Sequence, residues 1–416
     1  MAGSFARGAA SIGAVLALGL PWHAHAETEP SESPDGIALR VILVGVGQAI
    51  DGGSADAGTH EARGNGRGDV VAEFPGGTIG DAAGKLVTHL RFGQGGGVSL
   101  RPTYTSTPNT TTFEASDGSR TIHVTVAEAW YQLDVPLSRD GPKAAPHGRL
   151  ELTAGKMDPF AFFDQNAVAG DETTQFLNNV FVHNPLLDSG GDVGADRFGF
   201  SPGVRVRYAI GRDDADNWGA SVGMFGSGNG ADFTASFGHP FVIAQLDTTR
   251  SLVDGQPGTY RAYAWTNGAA SGFDGSRARR SGWGMSIDQR IGDTATLFAR
   301  FGHETQGSDR TRFDRALAVG AELGGGWWGR AADAAGLAFG LLHTSSAYAG
   351  ATAADRELAG YAASGDETSI EAYYRWQLDK RLELSPDVQW ILRPGGDGAA
   401  PAAFVAGVRV RVALER

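Results

Sequence analysis

Between Gly155 and Pro185 the chain reads "GKMDPFAFFDQNAVAGDETTQFLNNVFVHNP". This stretch holds Asp158, Asp164, Gln165, Asn166, Asp171, Glu172, Thr174, Gln175, Asn178 and Asn179. Carboxylates accept hydrogen bonds, and amides both accept and donate them. The phenylalanines threaded among them offer flat apolar faces. Three chemistries use such a mixture. Two carboxylates at a suitable separation hydrolyse glycosides, and Asp158 with Asp164, or Asp171 with Glu172, are the available pairs. A cage of oxygen ligands holds a cation. A wet constriction replaces the hydration shell of a sugar and lets it go again.

The rest of the chain weighs against the first two. It contains no G-x-S-x-G element, no H-E-x-x-H and no P-loop. The ten histidines are scattered, and "GHET" at Gly302–Thr305 has no second histidine at ligand spacing. His89 and His123 lie in strand patterns, where a hydrogen-bonded wall histidine is the simpler reading. No metal site and no cofactor are expected. Plain structural roles also stand beside the third chemistry. "GDETTQF" resembles a helix-start capping sequence, and Phe176 and Phe181 suit a small loop core.

The elements that must position this stretch follow from composition and alternation. Arg7, the apolar "AASIGAVLALGL" and "AHA" at Ala24–Ala26 form a secretory signal peptide over residues 1–26, too short to span a bilayer as a helix. Residues 27–68 read as a flexible, Gly-rich N-terminal segment with a first strand pattern near 37–47, and residues 69–416 as the folded domain. There is no cysteine, so no disulfide framework holds the exported chain. A net charge of −12 sets aside nucleic acid as a partner.

Period-two alternation dominates the folded part. "GVRVRYAIG" sets Val204, Val206, Tyr208 and Ile210 against Arg205 and Arg207. "SIEAYYRWQL" sets Ile370, Ala372, Tyr374, Trp376 and Leu378 against Glu371, Tyr373, Arg375 and Gln377. "FVAGVRVRVAL" does the same with Arg409 and Arg411 on its polar face. Alternation of this length marks β-strands with two chemically different faces. Similar runs bring the total to about 15 or 16 strands, joined by short turns alternating with long loops. Trp283, Trp376 and Trp390 near strand ends suit an interface girdle. The expected fold is all-β: a transmembrane antiparallel up-and-down barrel of about 16 strands. A soluble secreted sandwich remains the alternative, since it also alternates.

Several runs resemble one family. They are "AEAWYQLDVPL…GRLELTAGKMDPFAFFDQNAVAGDETTQFLNNVFVHNP", "HLRFGQGGGV", "SGWGMSIDQRI…LFARFG" and "EAYYRWQLDKRLELSPDVQWILRPGGD". In this order they are similar to the OprB-type carbohydrate-selective porins, from about residue 85 onward. The resemblance implies a 16-stranded bacterial outer-membrane barrel that passes small sugars by diffusion, with the opening stretch as a long loop near the channel. Asp164, Asn166, Asp171, Glu172 and Gln175 are then expected to accept or donate at a constriction. Arg205, Arg207, Glu371 and Arg375 are expected to line the wall. Small sugars and outer-membrane lipid are the expected partners, and association into homo-oligomers is compatible with the sequence. The alternatives are a general non-selective porin and a soluble glycan-binding or glycoside-cleaving β protein.

Overall fold

The alternating segments pair into one closed antiparallel sheet in a computed structural model. The structure describes residues 36–53, 61–100, 102–104, 108–112, 121–139, 146–188, 193, 199–213, 216–228, 230 and 232–415. The first strands are β1 (Ala38–Asp51), β2 (Glu61–Ile79), β3 (Ala82–Gly95), β4 (His123–Arg139) and β5 (Pro146–Met157). Next come β6 (Ser201–Asp213), β7 (Asp216–Phe225), β8 (Phe241–Val253), β9 (Gln256–Ser271), β10 (Arg277–Ile291) and β11 (Ala295–Gln306). The last are β12 (Phe313–Gly324), β13 (Ala334–Thr344), β14 (Glu367–Gln377), β15 (Leu382–Leu392) and β16 (Ala403–Glu415). Each strand pairs with its neighbours in sequence, and β1 closes on β16 in a register running from Arg40↔Glu415 to Asp51↔Phe404.

Closure excludes the sandwich, which would leave four sheet edges. It also moves one boundary. The barrel takes in residues 38–51, where the sequence reading allowed a first strand near 37–47, and residues 61–68, which it placed in the flexible segment. The cause is visible in "RGNGRGDV": Asn65, Arg67 and Asp69 are buried inward, while Gly64, Gly66 and Gly68 occupy the alternate positions. Glycine on the outer face hides a strand, because a glycine-rich run reads as a turn or linker. The expected signal peptide lies outside the described residues.

One strand, β8, had no counterpart among the sequence-derived runs. Its first half is apolar on both faces, with Phe241 and Ile243 buried inward and Val242 and Leu246 turned outward. Alternation emerges only at Gln245 and Asp247. Elsewhere the two faces fall as their chemistry requires. Val204, Val206, Tyr208 and Ile210 are exposed on the outer wall, as are Trp283, Trp376 and Trp390. Arg205, Glu371 and Arg409 are buried on the inner one.

The connections differ at the two ends. At one end the turns are short, such as those between β2 and β3, β8 and β9, or β10 and β11. At the other end lie the long loops, of which the third joins β5 to β6 over residues 158–200. That loop is the opening stretch of the sequence. It supplies the centre of the main apolar cluster, including Phe162, Phe163, Phe176, Val180, Phe181, Leu186 and Leu187.

Candidate functional site

The loop starts at a capped turn. Met157 ends β5, Pro159 occupies the first position of a short 3-10 turn, and the Asp158 carboxylate accepts the Phe160 N–H at 2.8 Å. Asp158 N–H in turn approaches Glu128 of β4 at 3.4 Å. Burial, and then the neighbouring charge of Glu128, push the Asp158 carboxyl up to about 7, against the pull of the Phe160 N–H. From the far end of the loop, His183 returns to lie flat against Phe160, with ring centroids 4.4 Å apart, and 3.1 Å from Asp188. Burial opposes the charged imidazole, but the Asp188 carboxylate prevails and raises its pKa.

From this root the chain runs into the barrel. Phe162 packs edge-on against Trp130 and under the Arg205 guanidinium. Phe163 meets Phe225, in space left by Gly223, where a Cβ would lie 2.7 Å from the Phe163 ring. Asp164 then adopts a left-handed backbone, φ 56°, uncommon outside glycine. Several bonds hold it there. Its carboxylate accepts from Asn184 N–H at 2.6 Å, Tyr263 Oη at 2.8 Å and Arg300 Nε at 2.9 Å. Arg300 on β11 also donates to the carbonyls of Asp164, Phe181 and Ala169 at 3.0, 2.7 and 2.9 Å.

Past that pin the loop first touches neighbouring β10 and then crosses to the opposite wall. Asn166 Nδ2 donates to Ser286 Oγ and Ile287 O on β10. Asp171 caps a turn, accepting from Thr173 N–H at 2.8 Å and from the Thr173 and Thr174 hydroxyls at 2.7 Å. Gln175 closes the same turn, its Oε1 accepting from the N–H groups of Gly170 and Asp171. Glu172 reaches Arg67 of β2 at 2.6 Å, a pair buried on both sides. Arg409 of β16 donates to the carbonyls of Glu172 and Gln175. Glu371 of β14 accepts the N–H groups of Leu177 and Asn178 at 2.5 and 2.9 Å. Asn178 caps α1 (Asn179–Val182). α1 rests on β13 where Gly340 leaves room for Val180 and Phe181.

Of the nine residues singled out from the sequence, eight belong to the loop or touch it, Arg205 at Phe162, Glu371 at Leu177 and Asn178, and Arg375 at Thr174, whereas Arg207 is held by Asp247 on β8. Asp164, Asn166, Asp171, Glu172, Gln175 and Glu371 are buried, and their polar atoms engage the loop or the wall. Arg205 is also buried, bonded to Glu151 at 2.9 Å. Arg207 and Arg375 keep open surface, with side chains 14% and 19% exposed. Arg207 crosses over β7 to grip Asp247 at 2.7 and 3.0 Å. Gly219 permits this, since a Cβ there would lie 2.5 Å from Asp247 Oδ2. Arg375 pairs with Glu322 at 3.4 Å and donates to Thr174 O.

Sequence reasoning missed Arg67, Asp69, Arg300 and Tyr263. Arg67, Asp69 and His89 form a buried chain with Glu128: Arg67–Asp69 at 3.0 Å, Asp69–His89 at 2.8 Å and His89–Glu128 at 3.0 Å. The signal available was the polar inward run itself, Asn65, Arg67 and Asp69 on β2 and Arg300 with Glu304 on β11.

A long loop folded into a closed barrel and tied to the far wall is the architecture of a diffusion channel. A protein-family model described as carbohydrate-selective porin, OprB family, matches residues 85–414. The chain belongs to that family. Like other OprB-family porins it is a carbohydrate-selective channel of the bacterial outer membrane. Its fold is similar to that of Pseudomonas putida OprB in a high-pH structure, with TM-score 0.64 and 18% identity over 91% of this chain and 94% of that one. It is also similar to the outer-membrane channel DcaP of Acinetobacter baumannii, with TM-score 0.52 and 13% identity over 91% and 97%. At these identities the likeness is one of fold. A comparison with curated proteins found no match.

Proposed function

We propose that this OprB-family porin is a passive route for monosaccharides and short oligosaccharides into the periplasm, with the third loop setting the bore. The observation that carries the reading is the pinning of residues 158–188 inside the barrel, by Arg300 on one wall and Arg67 on the other. Asp164, Asn166, Asp171, Glu172 and Gln175 act on sugar indirectly, by fixing where the loop stands. Contact falls to wall groups that keep open surface, above all Arg207 with Asp247 and Arg375 with Glu322. A guanidinium beside a carboxylate offers a sugar diol both donors and an acceptor. Exchange with water at such groups is nearly neutral, as release requires. Diffusion needs no covalent step. Residues 1–26 serve as the export leader; outer-membrane protein sequenced from its N-terminus should begin at Glu27.

Liposome swelling tests the proposal. Glucose-sized sugars should enter faster than amino acids of equal size. Arg207→Ala and Arg375→Ala should each narrow that margin while the barrel still inserts. Equal entry rates in the unmodified protein would identify a general, non-selective porin instead.

A further inference from the structure

The remaining feature lies outside the lumen, on the lipid-facing rim at the short-turn end, which faces the periplasm in outer-membrane barrels. Residues 325–333, "GGWWGRAAD", join β12 to β13 and fold back over the outer face of β14. Gly329 turns the chain at φ 76°, its N–H reaching the carbonyls of Gly325 and Gly326. Trp328 Nε1 donates to Tyr374 Oη at 3.0 Å, with the rings 6.0 Å apart. The Tyr374 hydroxyl donates to Asp333, which also accepts Arg330 Nε at 2.5 Å and the Gln377 N–H at 3.1 Å. The Arg330 guanidinium sits 5.6 Å over the Trp376 ring and donates to Gln377 O.

Asp333 is thereby buried and saturated, while Arg330 stays 46% exposed beside Trp327, which is 69% exposed. The next turn begins directly after Gln377 and carries Lys380 and Arg381, both exposed. Its one acid, Asp379, is occupied by the N–H groups of Arg381 and Leu382 at 2.7 and 3.1 Å. Other turns at this end carry Asp81, Asp254 and Asp293, in a chain of net charge −12. Against those three turns this rim is basic and aromatic.

We propose that the rim binds the phosphate headgroup of an anionic glycerophospholipid of the inner leaflet. Trp327 and Trp328 lie at the glycerol boundary, and Arg330, Lys380 and Arg381 face the phosphate. Tryptophan favours that depth, and basic side chains beside it draw anionic lipid. Asp333 is engaged by Arg330, the Tyr374 hydroxyl and the Gln377 N–H, and Asp379 by two backbone N–H groups, which leaves Lys380 and Arg381 as the exposed charges beside Arg330.

The test uses the full chain reconstituted in vesicles. Tryptophan emission is quenched by phosphatidylglycerol or phosphatidylcholine, each carrying brominated acyl chains at the same mole fraction. Subtracting the signal of Trp327→Phe/Trp328→Phe isolates the rim. Phosphatidylglycerol should quench that portion several times more strongly. Lys380→Gln/Arg381→Gln, which leaves the Asp333 cluster intact, should cut the preference by up to about fivefold per side chain. Equal quenching by the two lipids, or a preference unchanged both in this variant and in Arg330→Gln, overturns the proposal. Inorganic phosphate at matched ionic strength should leave the preference in place; displacement by it would show a free-phosphate site and overturn the lipid assignment.

Discussion

The guanidinium of Arg300 meets four acceptors: the Asp164 carboxylate and three loop carbonyls. Lysine cannot reproduce that fork. Arg300→Lys keeps the charge but strands buried loop carbonyls, and should loosen the loop at a cost of about 1–3 kcal/mol. The checks are a rise in single-channel conductance and new protease cleavage between residues 164 and 184. Asp158 gives a second prediction. Its carboxyl titrates near 7 in the folded loop against 3.8 ordinarily, so the folded state holds the extra proton. Its contribution to a docked loop is therefore complete below about pH 3.8 and is lost as pH rises through about 7. Channel noise should increase between about pH 4 and pH 7, and Asp158→Asn should remove that step. At this scale the sequence was half legible. The Asp and Asn positions of the opening stretch announced a polar loop, but their partners sit on strands many residues away. Arg67, Arg300 and Tyr263 could not be matched to them without the barrel.

Glycine decides how strands receive the loop. At Gly302 a Cβ would lie 2.3 Å from the Asn184 amide, and at Gly340 one would lie 2.5 Å from Val180. Gly340→Val should leave β12–β14 paired yet push α1 away from the wall, costing about 1–3 kcal/mol by overpacking. Raised conductance with an unchanged barrel spectrum would bear this out; unchanged conductance would count against the shelf. The same glycines explain what was hard to read. Strands such as β6, β14 and β16 declared themselves because valine, tyrosine or tryptophan alternates there with arginine or glutamate. In the first half of β2 the outward positions from Gly64 to Gly68 are glycine, so only Asp69–Phe74 read as a strand, and in β8 both faces begin apolar, so it showed no two-sided pattern.

For the molecule as a whole, alternation pointed to about 15 or 16 strands, because period two is a backbone property that survives weak sequence signals. A sandwich was still open, and the family resemblance implied the 16-stranded barrel. Closure was legible only as an inference, since the pairing of β1 with β16 joins the two ends of the folded chain. Removing residues 38–51 should leave β2 and β16 with open edges. The expected result is loss of the compact, heat-modifiable band in gel electrophoresis and retention of the chain in the periplasm. The seam between Arg40 and Glu415 spans nearly the whole chain length, which makes it the contact with the heaviest loop-closure penalty. No shorter fragment satisfies its own edges, so nascent protein has no stable halfway state in which to wait. Escort factors that hold back aggregation until the carboxyl-terminal residues arrive are thus a requirement written into the seam itself.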